Sequence, residues 1–238
     1  MRRKIVCILS VSLALAILCS CSPLTERINI YSSAQGEKDY SKYENMGVIT
    51  ETTADVFKEP NIMSERVTQA LFNQPVEILE SVGGWTRVKV VDGYTGWIKS
   101  SLINRDCSSI MSEDFEYRII VKDRFKTLRT HSRGGATVKD VVMGTEFFSN
   151  REMNESYLVA LPGGESAWID KKGTVVVKVG EEIPKTDTTQ FLETVLQLKG
   201  TVYLWGGVSS RGIDSSGLTY IAARVNGVIL PGSHITFR

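Results

Sequence analysis

A stretch of sequence that occurs twice decides the fold of most of this chain. It reads WTRVKVVDGYTGWI over residues 85–98 and SYLVALPGGESAWI over residues 156–169, and the two copies align without gaps. In the first copy, the alternation of Val88 and Val90 with polar residues predicts a strand, and the second copy alternates in the same way. A glycine-containing turn follows in both copies and leads into a second strand that begins near a tryptophan. The sequence therefore predicts two β-hairpins of one kind.

Each predicted hairpin has strand-forming sequence before it, at residues 75–79 and 145–148. About sixty residues per copy suits a small barrel that buries just enough core to be stable. We therefore expect one β-barrel over residues 45–105 and a second over residues 112–178. The paired pattern resembles bacterial SH3-like domains, and this resemblance implies two small barrels in tandem.

The aromatic residues of the two copies have two possible roles. Trp97 and Trp168 each follow a small residue and precede an isoleucine, so we expect them to lie in the barrel cores. In SH3-like modules, exposed aromatic residues and turns often form a cell-wall-binding face, which makes Tyr94 and Trp97 candidates. Tyr94 lies in the turn, where packing demands less, and it is the better candidate for contact with a ligand or a neighbouring domain.

The last part of the chain has the local signals of two helices. After a linker at residues 179–187, Asp187 and Thr188 open an apolar-periodic segment that ends near Gly200. A glycine-rich loop then leads to Asp214 and Ser215, either of which is a good N-cap. Apolar residues recur at helical spacing over 218–225, and Asn226-Gly227 is a stop signal.

Residue 215 therefore falls in the first turn of the second helix. Free N–H groups and the positive end of the helix dipole favour an anion there, so a thiol at this position would be shifted towards a reactive thiolate. The residue is a serine, whose hydroxyl stays a weak nucleophile unless a base lies within hydrogen-bond reach.

The same residues resemble the NlpC/P60 cysteine endopeptidases of bacterial cell walls. The resemblance rests on YLWGG at residues 203–207, GIDSSGL at residues 212–218 and GVILP at residues 227–231. It implies the N-terminal part of a papain-like α+β domain over residues 188–238, with Ser215 at the position of the family's nucleophilic cysteine. Members that cut between γ-D-glutamate and a diamino acid hold the free amino end of L-alanine with the aspartate before the cysteine, the serine after it and the tyrosine of the first motif. The resemblance therefore implies substrate-binding roles for Asp214, Ser216 and Tyr203.

Two departures from the family pattern predict an inactive copy. The nucleophile position holds Ser215, and the sequence contains only two histidines, His131 and His234, neither of which fits the family's histidine base. The family's arginine after Leu-Pro is also replaced, by Gly232, so a prematurely ended reading frame is a hypothesis for its history. Because about fifty residues cannot bury the apolar faces of two helices alone, we expect this part to be marginally stable or to dock on the barrels.

The N-terminus predicts export and a lipid anchor. Basic residues at positions 2–4 precede an apolar run over residues 5–18, which is too short for a membrane span and typical of a signal peptide over residues 1–20. The following sequence resembles a lipobox with Cys21 as the acylated residue; cleavage by an ordinary signal peptidase is the alternative. Residues 21–44 are polar and predict a tether to the membrane surface. Only Cys107 then remains outside this segment, so an intrachain disulfide is not expected.

The composition and motifs exclude several classes of partner. The chain carries 28 basic and 27 acidic residues without a basic stripe, so nucleic acid is not indicated. Neither a metal-ligand spacing nor a phosphate-cradling loop is present, so no cofactor is expected. The sequence predicts an exported, peptidoglycan-associated envelope protein. Two alternatives stay open: an active cell-wall peptide hydrolase, and a structural envelope protein without murein affinity.

Overall fold

The structure is a computed structural model that describes residues 38–230. It contains two seven-stranded antiparallel sheets followed by two α-helices. This confirms the fold class predicted from the sequence, mainly β with a terminal α+β part. Cys21, Gly232 and His234 lie outside the described residues. None of the helices within residues 38–230 is long and apolar enough to cross a membrane.

The first barrel, barrel 1, is built from strands β1 to β7. Their bounds are β1 Met46–Ile49, β2 Thr53–Phe57, β3 Arg66–Leu71, β4 Pro75–Val82, β5 Trp85–Lys89, β6 Thr95–Lys99 and β7 Ile103–Asn104. The strands hydrogen-bond in the order β3-β2-β6-β5-β4-β1-β7. Strands β5 and β6 form the hairpin predicted from the repeat, with Arg87 paired to Trp97.

The second barrel, barrel 2, repeats this plan strand for strand. Its strands are β8 Tyr117–Val121, β9 Phe125–His131, β10 Gly134–Val142, β11 Glu146–Met153, β12 Ser156–Ala160, β13 Ser166–Asp170 and β14 Thr174–Lys178. Their order, β10-β9-β13-β12-β11-β8-β14, corresponds to that of barrel 1. The hairpin β12–β13 is therefore the structural counterpart of β5–β6, as the sequence repeat predicts.

The expectation that Trp97 and Trp168 lie in the barrel cores is wrong. Strand side chains alternate between the two faces of a sheet, and the following residues, Ile98 and Ile169, are the fully buried ones. The tryptophans are therefore directed to the outer face, where each is only partly buried. The small residues before them, such as buried Gly96, share the inner face with the isoleucines.

The helical part consists of α1 Thr188–Gln197, the short hairpin β15 Val208–Ser209 and β16 Gly212–Ile213, and α2 Ser215–Val225. Asp187 caps α1, because its side chain accepts a hydrogen bond from the Gln190 N–H. Asp214 caps α2 in the same way through the Gly217 N–H. Helix α2 ends at Val225, followed by Asn226 and by Gly227 with φ +67°, a left-handed conformation that glycine tolerates. Both helix starts and the end of α2 agree with the sequence signals.

The two helices have no separate core of their own. One apolar cluster joins both barrels to the helical part; it consists of Leu71, Ile120, Val142, Met143, Leu198, Val208, Ile213, Ile221 and Val225. Leu71 comes from barrel 1, and Ile120, Val142 and Met143 come from barrel 2. Of the two outcomes expected for this part of the chain, the structure therefore shows docking on the barrels.

Candidate functional site

The candidate site is the corner where the loop before α2 meets the N-terminus of that helix. Backbone hydrogen bonds hold the corner together: Leu204 N–H donates to the Ile213 carbonyl at 3.1 Å, and Ile213 N–H donates to the Val202 carbonyl at 3.1 Å. Tyr203 forms a parallel bridge with Ile213. The motif residue Tyr203 is thereby held beside the residue that precedes Asp214.

Asp214 is the centre of the hydrogen-bonding network at this corner. Its Oδ1 accepts from the Gly217 N–H at 2.7 Å and from the Ser216 hydroxyl at 2.6 Å, and its Oδ2 accepts from the Gly206 N–H at 2.9 Å. Partial burial raises the pKa of Asp214, but the hydrogen bonds from Gly217, Ser216 and Gly206 outweigh it and lower the pKa below its ordinary value. The carboxylate is therefore ionised and fixed in one orientation.

Glycine at position 217 is required by a close approach of two backbones. A Cβ atom there would lie 2.1 Å from the Gly207 carbonyl oxygen, which is far inside van der Waals contact. Gly206, with φ +69°, makes the turn that directs its own N–H towards Asp214. The glycines of the motif thus allow the N-terminus of α2 to lie in close contact with the backbone of the loop.

Ser215 and Ser216 occupy the first turn of α2, and both are exposed. The Ser216 hydroxyl donates to Asp214, whereas the Ser215 hydroxyl forms no hydrogen bond with any residue in the described range 38–230. His131, the histidine within that range, ends strand β9 of barrel 2, where its Nδ1 lies 2.9 Å from the Thr130 hydroxyl. The structure does not bring His131 to Ser215.

The aromatic residues of the motif are exposed. Tyr203 is 67% exposed and Trp205 is 61% exposed, so neither side chain belongs to the core. Tyr94 is also exposed, in the β5–β6 turn of barrel 1, where its N–H donates to Asp92 Oδ1 at 3.1 Å. The structure places Tyr203, Asp214 and Ser216 together at one corner and places Tyr94 on barrel 1.

Two residues of barrel 1 that the sequence analysis missed hold the loop in place. Arg66 Nη1 donates to the Trp205 carbonyl at 3.1 Å, and Gln69 Oε1 accepts from the Val208 N–H at 3.2 Å. Asp55 fixes the orientation of both side chains, because its Oδ1 accepts from Arg66 Nε at 2.7 Å and from Gln69 Nε2 at 2.9 Å. These contacts join residues 139 positions apart, and no local sequence signal indicates them.

A cavity of about 550 Å³ lies among barrel 1, barrel 2 and the second half of α2, and Gln69 and Val208 are also among its lining residues. Its polar wall is an ion-pair chain in which Glu146 accepts from Arg118 at 2.9 Å on both carboxylate oxygens and from Arg224 Nη2 at 2.9 Å. Burial raises the pKa of Glu146, but the two guanidinium groups outweigh it and hold the pKa below its ordinary value. These ion pairs connect Arg224 on α2 to Glu146 and Arg118 on barrel 2.

Cys107 and potential metal ligands offer no second centre. The Cys107 side chain is buried, and its burial raises the pKa of the thiol, so it has the character of an inert core residue. Within residues 38–230, no group of three or more histidine, cysteine or acidic side chains is arranged to hold a metal ion.

Comparison with known proteins agrees with the motifs. Residues 56–103 match the family model of the bacterial dipeptidyl-peptidase SH3 domain. The chain is 27% identical over 174 residues to a gamma-D-glutamyl-L-lysine dipeptidyl-peptidase of Bacillus cereus, covering 69% of this chain and 51% of that protein. It is 26% identical over 194 residues to dipeptidyl-peptidase 6 of Lysinibacillus sphaericus, covering 77% of this chain and 70% of that protein. The chain is a relative of these NlpC/P60 dipeptidyl-peptidases, and it spans about half the length of the Bacillus cereus protein.

Solved structures agree on the fold. The chain superimposes on a crystal structure of an NlpC/P60 family protein from Bacillus cereus with a TM-score of 0.67 and 20% identity, covering 79% of this chain and 74% of the other. An NlpC/P60 endopeptidase from Photobacterium damselae subsp. piscicida superimposes with a TM-score of 0.56 and 15% identity, covering 82% of this chain and 46% of the other. The arrangement of two barrels before the motif helix is therefore a known one.

Proposed function

We propose that this chain is an extracytoplasmic, peptidoglycan-associated protein that binds the free amino end of a murein peptide at the Asp214 corner and does not hydrolyse it. The observation that carries the proposal is the Asp214 carboxylate, which three donors fix at the N-terminus of α2 beside the exposed Tyr203. Export and acylation at Cys21 are part of the proposal.

The corner has the chemistry of an ammonium site. A carboxylate offers about four lone-pair positions, so three accepted hydrogen bonds leave one for a cationic donor. The Ser216 hydroxyl donates a hydrogen bond to Asp214, so the lone pairs of its oxygen can accept a hydrogen bond from the same ammonium group. A charge-assisted hydrogen bond of this kind is shorter and stronger than a neutral one.

The residue at position 215 favours binding over hydrolysis. A serine hydroxyl ionises many units above neutral pH, and the positive end of a helix dipole shifts a pKa by far less than that difference. The same position would activate a thiol, whose ordinary pKa is about 8.5. We therefore assign Ser215 no nucleophilic role.

The experiment uses the peptide L-alanyl-γ-D-glutamyl-L-lysine and the full chain from residue 22 onward. Calorimetry should show saturable binding of this peptide and none of its N-acetylated form, because acetylation removes the ammonium charge. Asp214→Asn should weaken binding at least about tenfold, or about 1.4 kcal/mol, through loss of the charge-assisted hydrogen bond. Asparagine is about as good an N-cap as aspartate, so the helix should persist.

The matched control is Asp187→Asn, which makes the same change at the N-cap of α1 and should leave peptide binding unchanged. Mass spectrometry of the mixture after long incubation should find no released L-alanyl-D-glutamate. Release of that dipeptide would establish the active hydrolase instead. Equal binding of the acetylated and free peptides would remove the proposed ammonium site, and a lack of binding to either would favour the structural envelope role.

A further inference from the structure

The cavity between the two barrels and α2 has the size of a ligand pocket. Its volume of about 550 Å³ lies within the range of about 300–1,000 Å³ that pockets for small molecules occupy. Protein interiors are close-packed, and the few voids that they contain are seldom larger than a water molecule. A space of this size, where three parts of the fold meet, is therefore a candidate binding site and not a packing defect.

Much of the wall of this cavity is apolar. Met46 and Leu71 come from barrel 1, Phe148 comes from barrel 2 and Ile221 comes from α2, and all four side chains are buried. Residues 180–182, in the linker before α1, also line the cavity and are exposed, so the cavity opens to solvent on that side. A ligand with an apolar body that entered there would remove apolar surface from water.

The charged side chains of the inner wall form one connected patch. Glu146 accepts hydrogen bonds from Arg118 and Arg224, and Arg224 Nη1 lies 3.4 Å from the Tyr220 hydroxyl. All four residues line the cavity, Arg118 and Glu146 from barrel 2 and Tyr220 and Arg224 from α2. We call these four residues the donor patch.

The donor patch has more hydrogen-bond donors than acceptors. A guanidinium group has five N–H donors, and within residues 38–230 the Arg118 and Arg224 side chains each use two of them. The Glu146 carboxylate already accepts three of the about four hydrogen bonds that it can accept. Burial raises the pKa of the Tyr220 hydroxyl, so this group keeps its proton and can donate. The patch can therefore bind a further acceptor, and its guanidinium groups favour one with negative charge.

Other acidic side chains near the patch do not supply that acceptor. Asp92 lies close enough to Arg224 for their charges to interact, but its Oδ2 accepts from the Thr68 hydroxyl at 2.7 Å and its Oδ1 accepts from a backbone N–H of its own turn at 3.1 Å. The two glutamates of the linker, at residues 181–182, are exposed, so water and salt screen their charges.

We infer that the cavity binds a small aliphatic monocarboxylate, with its carboxylate on Arg224 and Arg118 and its hydrocarbon chain against the apolar wall. A neutral apolar ligand would leave the donors of the patch without an acceptor. A dicarboxylate would bury a second charge against apolar side chains. This site is distinct from the Asp214 corner, and the inference does not depend on association with peptidoglycan.

The experiment measures binding of decanoate to the full chain from residue 22 onward, by calorimetry below the concentration at which decanoate forms micelles. One decanoate should bind per chain, at least about tenfold more tightly than decanol, because only the carboxylate forms charge-assisted hydrogen bonds with guanidinium groups. Arg224→Gln should weaken decanoate binding at least about tenfold and change decanol binding by less than about threefold. Arg87→Gln, at an exposed position of barrel 1 outside the cavity lining, is the matched control and should bind like the parent chain.

Glu146→Gln gives a result that a purely structural role of the patch would not give. The substitution removes a carboxylate that competes for the two guanidinium groups and repels an anionic ligand. Decanoate should therefore bind this variant at least about threefold more tightly than the parent chain, although the ion pairs that stabilise the fold are lost.

Val179→Trp tests the location of the site without altering the donor patch. Val179 lines the cavity beside the exposed linker, so a larger side chain should fill part of the volume and weaken decanoate and decanol binding at least about tenfold. Val202→Trp, at a position that is 71% exposed and is not among the lining residues, is the control and should bind both ligands like the parent chain.

Three results would overturn the inference: decanoate binding no tighter than decanol binding, unchanged binding in Val179→Trp, or weaker decanoate binding in Glu146→Gln. Asp214→Asn separates the inference from the proposed function, because that variant should lose the murein peptide and keep decanoate. Arg224→Gln should show the reverse pattern, with decanoate binding lost and peptide binding kept.

Discussion

Barrel 1 and barrel 2 have the same strand order, yet they hold different parts of the helical segment. Barrel 2 holds the body of α2, through apolar contacts from Val142 and Met143 and through the Glu146–Arg224 ion pair. Barrel 1 holds the loop that precedes α2, through hydrogen bonds from Arg66 and Gln69. Barrel 2 is thus the main foundation of the helix, to which barrel 1 adds Leu71, and barrel 1 is the border of the corner at the N-terminus of α2.

The largest expected effect comes from the apolar foundation. Ile221→Ala removes a fully buried side chain from the cluster that barrel 1, barrel 2 and the helices share. We expect a loss of about 2–5 kcal/mol in the free energy of unfolding, measured by urea denaturation. Leu196→Ala, at a position 64% exposed in the helical part, should change stability by no more than about 0.5 kcal/mol.

The same pair of variants tests whether the parts unfold together. If barrel and helix signals lose stability in parallel in Ile221→Ala, the shared core is a single cooperative unit. A barrel transition that stays at its original urea concentration, while the helices melt earlier, would mean that the barrels do not depend on α2. In that case the barrels and the helices would be in contact but would unfold independently.

The second prediction concerns the ionic contact between barrel 2 and α2. Glu146→Gln leaves the Arg118 and Arg224 guanidinium groups without their carboxylate. Removing one partner of a fully buried ion pair costs about 3–5 kcal/mol, and we expect roughly 2–3 kcal/mol here because the groups face a cavity. The Glu146 side chain keeps 19% exposure.

The pH dependence of the free energy of unfolding tests whether the Glu146 ion pairs stabilise the fold. Since the folded-state pKa of Glu146 is below the unfolded value of about 4.3, the ion pair stabilises the fold fully above that pH and loses its effect as pH falls through the lower folded pKa. Urea midpoints between pH 7 and pH 3 should therefore fall less steeply for Glu146→Gln than for the parent chain. Glu165→Gln, on an exposed turn of barrel 2, is the control and should keep the parent slope.

The third prediction tests the border that barrel 1 provides. Gln69→Ala removes the acceptor for the buried Val208 N–H, and an unsatisfied buried donor costs about 1–3 kcal/mol. We expect about 1–2 kcal/mol, with faster amide hydrogen exchange at Val208 and little change at Ala222 in the body of α2. Arg124→Ala on barrel 2, which loses contacts to Lys199 and Thr201, should leave exchange at Val208 unchanged. If amide exchange became faster at both Val208 and Ala222 in both variants, the two barrels would not differ in the part of the helical segment that they hold.

Local rules predicted much of this fold and part of the site. The period-two alternation in the repeat gives the hairpins, and Asp187 and Asp214 give both helix starts, because strand pleating and N-capping act over a few residues. Trp97 shows the limit of such reasoning, since its residue type suggests a core position while the alternation with buried Ile98 directs it outward. The stronger signal at that position was the period and not the size of the side chain.

The rest of the site depends on pairs that are far apart in sequence. Arg66 and Trp205, or Glu146 and Arg224, meet only after both barrels and the helices have docked. Nothing near Gln69 in the sequence indicates that its side chain accepts from a backbone N–H in the loop before α2. The motif therefore predicted that Asp214, Ser216 and Tyr203 lie together, while their substrate-binding roles stay a prediction. It did not predict the residues of barrel 1 that hold their loop in place.

The smallest expected effect on the folded state concerns the exposed N-terminus of α2. Ser215→Cys should change the free energy of unfolding by less than about 0.5 kcal/mol, because the side chain is exposed and of similar size. The helix N–H groups should lower the pKa of the new thiol below its ordinary value of about 8.5, while the Asp214 charge opposes this shift. The dipole should prevail, because Gly206, Ser216 and Gly217 already donate to that carboxylate.

The rate of iodoacetamide alkylation as a function of pH, followed by intact mass, measures that pKa. Ser166→Cys, exposed at the start of a strand in barrel 2, supplies the unperturbed reference, and the buried Cys107 should stay unmodified in both variants. A lower alkylation midpoint for Ser215→Cys than for Ser166→Cys would show that the corner bordered by barrel 1 still activates a thiol. A higher midpoint would mean that the Asp214 carboxylate dominates, which would make this corner a site for cations and not for a nucleophile of any kind.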